Sequence, residues 1–433
     1  MKSVHVIGGG LAGCEAAYQL AKAGVPVILY DMKPQKRSPA HHSDFFCELV
    51  CSNSLKSNEV TSACGLLKAE LRCLDSLVIA CADRTRVPAG GALAVDRDLF
   101  AEEVTRAICE NPLITVKHEV VSVLPEGICI VATGPLTDDA LIPEIAKLCG
   151  TEFLHFFDAA APIVTRDSID FDSAFQSSRY GKGTDDYVNC PMTKEEYLAF
   201  RQALITAKTA EVKDFDKKDI FEGCMPIEVM AQRGEDTARF GPLKPVGLTD
   251  PHTGKRPYAV LQLRKENKEE DLFNLVGFQT HLTFGEQKRV FSMIPALRNA
   301  EFVRYGVMHR NTYLNAPRVL NANFQVKQYP DVFFAGQITG VEGYVESVAS
   351  GLYAARSVLA YRKGEKMPEL SNDCMIGALA KHVSCENENY QPMNANFGIL
   401  AALEHPDRDK AKKKEQYAAR ALQYLETVSK ELK

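Results

Sequence analysis

Val4-His5-Val6-Ile7-Gly8-Gly9-Gly10-Leu11-Ala12-Gly13, with Asp31 closing the run Val27-Ile28-Leu29-Tyr30, decides the fold of this chain. The first four residues read as a strand and the glycines as a turn. Leu11 to Ala23 read as a helix and residues 27–30 as a second strand, so a βαβ unit begins at residue 3. Gly8-x-Gly10-x-x-Gly13 directly after a strand, at a helix start, with an acid about 20 residues on, is the full setting of a dinucleotide-binding loop. Gly8 permits the tight turn, Gly10 leaves room for a pyrophosphate, and Gly13 lets the helix pack closely on the strand. The helix N-terminus attracts the phosphates and Asp31 takes the ribose hydroxyls. Gly9, Leu11 and Ala12 complete the loop as candidate cofactor contacts.

Outward from this unit, helices are expected over 65–74 and 97–109, with strands over 114–118 and 127–131, the latter ending in Ala132-Thr133-Gly134. Alternating β and α elements imply a mostly parallel sheet. From about residue 160 to 315 the alternation is lost, Pro and Gly recur, and charge runs appear at 213–219 and 265–271. This reads as an inserted α+β domain. The first signature returns at Val332-Phe333-Phe334-Ala335, running into Gly336, Gly340 and Gly343 and a helix over 346–361. The expected division is 1–170 and 315–433 for the two parts of an FAD-binding domain, the second with a C-terminal helix, and 171–314 for the insertion. FAD and NAD share this loop; FAD is preferred because the loop lies so early and because Ile130-Val131-Ala132-Thr133-Gly134 and Phe333-Phe334-Ala335-Gly336 resemble the mid-domain and late strands of two-dinucleotide flavoproteins. Gln337, Gly343 and Tyr344 join the candidate cofactor residues. No second such loop follows a strand, so a nicotinamide cofactor is expected to bind transiently.

Composition narrows the classes further. With 433 residues, 45% hydrophobic and 25% charged, the chain is long enough for about two domains, and disorder, collagen and disulfide miniproteins are excluded. Its 51 basic and 56 acidic residues give a net charge of -5, so any nucleic-acid site is a local patch rather than a uniform positive field. Candidates are Lys244, Lys255, Arg256, Arg264, Lys265, Lys288, Arg289 and the lysines near 412, with Tyr258 and Phe284 as stacking faces. The 13 cysteines include no CxxC pair, so reduced thiols in the cytoplasm are expected. No apolar run approaches the length of a membrane span, and no metal is expected, His41-His42 having no partner cluster.

Two cysteines lie in polar, loop-like surroundings: Cys51 in Glu48-Leu-Val-Cys-Ser-Asn-Ser-Leu-Lys56, and Cys224 in Phe221-Glu-Gly-Cys-Met-Pro-Ile-Glu228. A thiolate is a strong, soft nucleophile. Cys14, Cys109, Cys129 and Cys149 fall in apolar helix or strand patterns and read as buried. His309, between Arg304 and Arg310, is a candidate anion contact.

With these segments, and with Val87-Pro-Ala-Gly-Gly-Ala-Leu-Ala-Val-Asp-Arg97, Asp158-Ala-Ala-Ala-Pro-Ile-Val164 and Ala335-Gly-Gln-Ile-Thr-Gly-Val-Glu-Gly-Tyr-Val-Glu-Ser347, nearly the whole chain resembles the bacterial folate- and FAD-dependent tRNA (uracil-5-)-methyltransferases. The resemblance implies an α/β fold, a glutathione-reductase-like FAD domain interrupted by an insertion. It implies transfer of the methylene carbon of 5,10-methylenetetrahydrofolate, by way of FAD, to carbon-5 of a T-loop uridine in tRNA, with NADPH or NADH as reductant. It places on Cys224 the thiolate that adds to carbon-6 of uracil. Cys51 then guards or tunes the one-carbon unit at the flavin, or removes the carbon-5 proton, and Tyr344 stacks on the pterin. Some members act on a uridine of large-subunit rRNA instead. Two other classes are carried beside this one, a small-molecule flavin oxidoreductase and a non-catalytic flavin-bound RNA chaperone; no obligate protein partner is expected.

Overall fold

A computed structural model describes residues 2–38, 40–149, 153–159, 161–181, 184–210, 225–387 and 390–432. Val4–Ile7 forms the centre of a six-stranded sheet, flanked on one side by Val27–Asp31 and then Ile114–His118, and on the other by Cys129–Val131, Tyr329–Phe334 and Gln325–Val326. The pairings from Ile114–His118 through Tyr329–Phe334 are parallel, and the edge strand Gln325–Val326 is antiparallel. Val4, Val6, Ile130, Phe333 and Phe334 are fully buried, as parallel strands covered by helices on both faces require.

Strand order reverses beside Val4–Ile7. Its helix, Leu11–Lys22, leads to Val27–Asp31 on one side, whereas the neighbouring strand on the other side, Cys129–Val131, pairs onward with Tyr329–Phe334. Open α/β sheets bind ligands outside the carboxyl ends of the strands at such a point. The Leu11–Lys22 helix packs against the Tyr344–Lys363 helix, and a Cβ on Gly351 would lie 2.2 Å from the Ala12 carbonyl oxygen, so this crossing admits no side chain there.

A second six-stranded sheet runs in the order Phe175–Gln176, Val188–Met192, Ala259–Lys265, Leu272–Leu275, Ile163–Thr165, Phe302–Arg304, antiparallel throughout. Its first strand in the sequence, Ile163–Thr165, precedes residue 171. Val164, Leu261, Phe273, Phe278 and Phe291 build a core separate from that of the first sheet. The strands Phe153–Ala159 and Met308–Leu314 pair with each other as an antiparallel ribbon where the chain passes between the two sheets. Thr312 N donates to Pro135 O at 2.9 Å, and Tyr313 and Leu314 are buried in the first core. A small sheet of Ser54–Ser57, Ala92–Val95 and Arg86–Val87 and a helix Leu77–Arg84, none of them expected from the sequence, complete the first lobe. Among the described residues no helix is long and apolar enough to cross a membrane.

Candidate active site

The carboxyl ends of the central strands open into a cleft of about 1180 Å³, mouth included. Gly8 to Ala12 form its floor, Asp31 to Lys33 one wall, Ala132 to Asp138 another, and Gly336, Gln337, Tyr344 and Ser347 the far end. The sequence-expected residues Gly8, Gly9, Gly10, Leu11, Ala12, Asp31, Thr133, Gly134, Gly336, Gln337 and Tyr344 thus meet along one cavity. Gly13 and Gly343 are not on its surface. Gly13 packs beneath the loop, and Gly343 (φ 125°) is the N-cap of the Tyr344–Lys363 helix.

The cleft fits a dinucleotide on three counts. The Leu11–Lys22 helix has no side-chain cap and no acidic residue in its first turn, which leaves its N-terminal amide donors for an anion. A Cβ at Gly10 would meet no atom within 4 Å, so open space lies beside that turn. Asp31 is buried; its Oδ2 accepts from Gly9 N at 2.9 Å and its Oδ1 from Lys33 N at 2.8 Å. Each carboxylate oxygen keeps a second lone pair, enough for ribose hydroxyls. Gly9 is more constrained than its place in the motif suggests, because a Cβ there would sit 2.4 Å from that same Oδ2. His41 also lines the cleft and hydrogen-bonds Ser38 Oγ through Nδ1 at 2.6 Å.

At the far end the Cys51 loop is held from several directions. The Tyr344 hydroxyl oxygen accepts from Cys51 N at 2.8 Å and from Ser52 N at 3.2 Å. Burial, and then the neighbouring Cys51 thiol, push the Tyr344 phenol up, so it stays protonated and neutral. Arg304 Nη2 donates to Val50 O at 2.8 Å, and Arg97 Nη1 donates to Leu49 O. Arg264 donates from Nη2 to Ser52 Oγ at 2.7 Å and from Nε to Asn53 Oδ1 at 2.9 Å. Asn53 Nδ2 in turn donates to Val95 O and Lys265 O, both at 3.0 Å. Glu266 pairs with Arg97 and is almost fully buried, and burial pushes its carboxyl up; their own burial pushes the guanidiniums of Arg264 and Arg304 down, against the pull of the Glu266 carboxylate. The loop is therefore a staple between the two lobes, with anchors from both, and Val50 and Tyr344 put it at the cleft's edge.

Replacing Tyr344 by Phe leaves two backbone donors without their acceptor, at about 1–3 kcal/mol for each buried one. Turnover is expected to fall roughly 10- to 100-fold, with flavin retained. Steady-state kinetics beside flavin content measures both, and unchanged turnover would remove Tyr344 from the loop's support.

Several sequence expectations change here. Arg264 and Lys265, read as candidates for an RNA surface, are buried; Arg264 anchors the Cys51 loop and Lys265 pairs with Glu270 at 2.6 Å. The Arg239 guanidinium lies over the Tyr258 ring at 3.6 Å, so that face is occupied. Tyr344 turns its hydroxyl to the loop backbone. Cys14 and Cys129 are buried as expected, but Cys109 is exposed and Cys149 half-buried. Cys224 lies outside the described residues, as do the side chains of His309 and Arg310. The described flank Met225 is buried, and Glu228 accepts from Thr280 Oγ1 at 2.8 Å and from His281 N at 2.9 Å. Among the described residues no His, Cys, Asp and Glu cluster is arranged to hold a metal. Arg97 and Arg304 as loop anchors, and Lys33 and His41 as cleft residues, were not picked out for these roles, since their signal is burial rather than spacing.

The profile of the family described as glucose inhibited division protein A matches residues 3–366. A protein of Acetivibrio thermocellus named methylenetetrahydrofolate--tRNA-(uracil-5-)-methyltransferase TrmFO is 57% identical over 430 residues, 99% of each chain. Proteins of the same name from Listeria monocytogenes serotype 4b and Bacillus subtilis strain 168 are 56% identical over 100% of each chain and 54% identical over 99% of each. Among solved structures, Aquifex aeolicus GidA in its form I crystal superposes with a TM-score of 0.72 at 15% identity, covering 99% of this chain and 76% of that one, a likeness of fold.

Proposed function

This chain belongs to the glucose inhibited division protein A family and to the methylenetetrahydrofolate–tRNA-(uracil-5-)-methyltransferases within its reach, and from that membership we infer its reaction. It is an RNA methyltransferase that uses FAD, for which the cleft at the glycine loop has the room and the donors. It transfers the methylene carbon of 5,10-methylenetetrahydrofolate, with NAD(P)H as reductant, to carbon-5 of a T-loop uridine in tRNA, forming 5-methyluridine. In this cleft FAD would supply the chemistry of hydride and one-carbon transfer between folate, nicotinamide and base. The working compartment we assign is the cytoplasm, where tRNA is matured.

The chain's own residues divide the remaining work. Gly8 to Ala12 and the first turn of the Leu11–Lys22 helix would hold the pyrophosphate, and Asp31 would hold a ribose. Thr133, Gly134, Gly336 and Gln337, which line the rest of the cleft, would hold the remainder of the cofactor. Carbon-5 of uracil is a poor nucleophile until a thiolate adds to carbon-6 and makes an enolate. We assign that addition to Cys224 and assign to Cys51 the protection of the one-carbon unit or the removal of the carbon-5 proton. The observation that carries this reading is the Cys51 loop, held at the cleft's edge by Tyr344 from one lobe and Arg264 and Arg304 from the other. For the domains we propose an FAD-binding domain of 1–170 and 315–433 around an insertion of 171–314, with Ile163–Thr165 serving as a strand of the insertion's sheet.

The test is incubation of the purified yellow protein with methylenetetrahydrofolate, NADPH and undermodified tRNA, beside undermodified large-subunit rRNA. 5-Methyluridine in the T-loop alone is expected. Methylation of rRNA alone moves the substrate, and flavin turnover without any methylated RNA leaves a small-molecule oxidoreductase.

A further inference from the structure

We propose that Phe284, Tyr305 and Phe302 form a platform on which an unpaired base of the RNA substrate stacks; this rests on the RNA methyltransferase reading above and gives it a contact surface. Phe284 and Tyr305 lie with ring centroids 4.8 Å apart and planes 15° from parallel, and Tyr305 and Phe302 follow at 5.4 Å and 12°. The column ends inward at Phe291, tilted at 41° in the second core. It ends outward at Phe284, which is 55% exposed as the first residue of the Phe284–Phe291 helix. A phenylalanine that served packing alone would be expected to bury its ring. Here one face rests on Tyr305 while more than half of the residue meets solvent.

The surroundings favour RNA as the occupant. Lys288, one helical turn on and on the same face, is exposed. So is Lys208, whose carbonyl accepts from Thr283 N at 3.0 Å, just before Phe284. Cations flanking an open aromatic face match a nucleotide, whose base stacks while its phosphates seek positive charge, and every base has a π-face to offer. Position points the same way. Ala210 N donates to His281 O and Ile227 N to Gln279 O, each at 2.8 Å, so both described flanks of the stretch bearing Cys224 are bonded to the segment 279–281, which runs into Phe284. On the other side Tyr305 follows Arg304, which holds Val50 of the Cys51 loop, and Gly306 N is fixed by the buried Gln287 Oε1 at 2.8 Å. The platform is thus tied to the Cys51 loop and to the described flanks of the stretch bearing Cys224, where an RNA presenting a target uridine has neighbouring bases to place.

The experiment measures binding of a synthetic T-arm stem–loop RNA to the flavin-loaded protein carrying Phe284→Ala, Phe284→Leu, Phe284→Tyr or Phe284→Trp. The aromatic replacements are expected to bind like the parent, and the Ala and Leu forms roughly ten- to a hundredfold more weakly. Flavin content and the KM for methylenetetrahydrofolate are expected to stay unchanged. An RNA with an abasic residue at the stacked loop position loses the same affinity on the parent and none further on Phe284→Ala. Leucine binding as well as tryptophan overturns the platform, and so does a defect in folate KM with RNA affinity intact. A parent protein that neither binds nor methylates the stem–loop instead overturns the methyltransferase reading, so the two failures are told apart.

Discussion

A Gly13→Ala variant loses its yellow colour. Its new Cβ would lie 1.8 Å from the Gly8 carbonyl oxygen and 3.0 Å from the carbon behind it, both backbone atoms that no rotamer change can move aside. The Leu11–Lys22 helix must therefore slide away from the Val4–Ile7 strand. Overpacking of this kind costs about 1–3 kcal/mol in a close-packed interior. The slide also carries off the amide donors at the helix start, so the pyrophosphate loses its partners at the moment the fold loses its fit. Flavin occupancy, read as the ratio of flavin to protein absorbance, is expected to fall at least about tenfold, with a lower melting temperature that added FAD only partly restores. Parent-like occupancy would mean that the loop tolerates a helix shift its contacts forbid.

Loss of Cys224 removes methylation almost entirely. If its thiolate must add to carbon-6 before carbon-5 can attack, Cys224→Ala lowers turnover by at least roughly 10⁴-fold, while flavin reduction by NADPH persists. Cys51→Ala is expected to lower turnover roughly 10²- to 10⁴-fold, the range of a lost proton-transfer group. RNA bearing 5-fluorouridine separates the two. The trapped covalent complex should survive Cys51→Ala and vanish with Cys224→Ala. The reverse pattern exchanges the two roles, and trapping by both variants removes the nucleophile assignment.

How much of this was legible in the sequence depends on what kind of signal each feature leaves. The central βαβ unit declares itself because Gly8, Gly10, Gly13 and Asp31 each answer a separate steric or electrostatic demand, and Thr133, Gly134, Gly336 and Gln337 line the same cleft as Gly8, Gly10 and Asp31. The helices near 65–74 and 97–109 are legible by periodicity and appear as Ala63–Cys73 and Arg97–Cys109. Strands of two to four residues such as Arg86–Val87 and Ser54–Ser57 carry too little alternation to be read. Charge without burial misleads: Arg264 looks like a phosphate contact until three-dimensional packing turns it into the anchor of Ser52 and Asn53. Aromatics mislead in the same way, since Tyr258 and Phe284 look alike in sequence while one is covered by Arg239 and the other is open. Gly351 went unremarked because a glycine inside a long helix announces no neighbour, and its reason is the distant Ala12 carbonyl.

The ribbon of Phe153–Ala159 and Met308–Leu314 makes the second lobe separable by engineering. Because the outgoing and returning strands are zipped together in register from Leu314 opposite Phe153 to Met308 opposite Ala159, the chain enters and leaves the second lobe through a single paired stem. Excising that stem's far end and closing it with a short turn would leave every parallel pairing of the first lobe untouched. The second lobe is, in that sense, a graft, and such a minimal flavoprotein would be expected to fold and keep its coenzyme while losing every contact that Arg264 and Arg304 bring across.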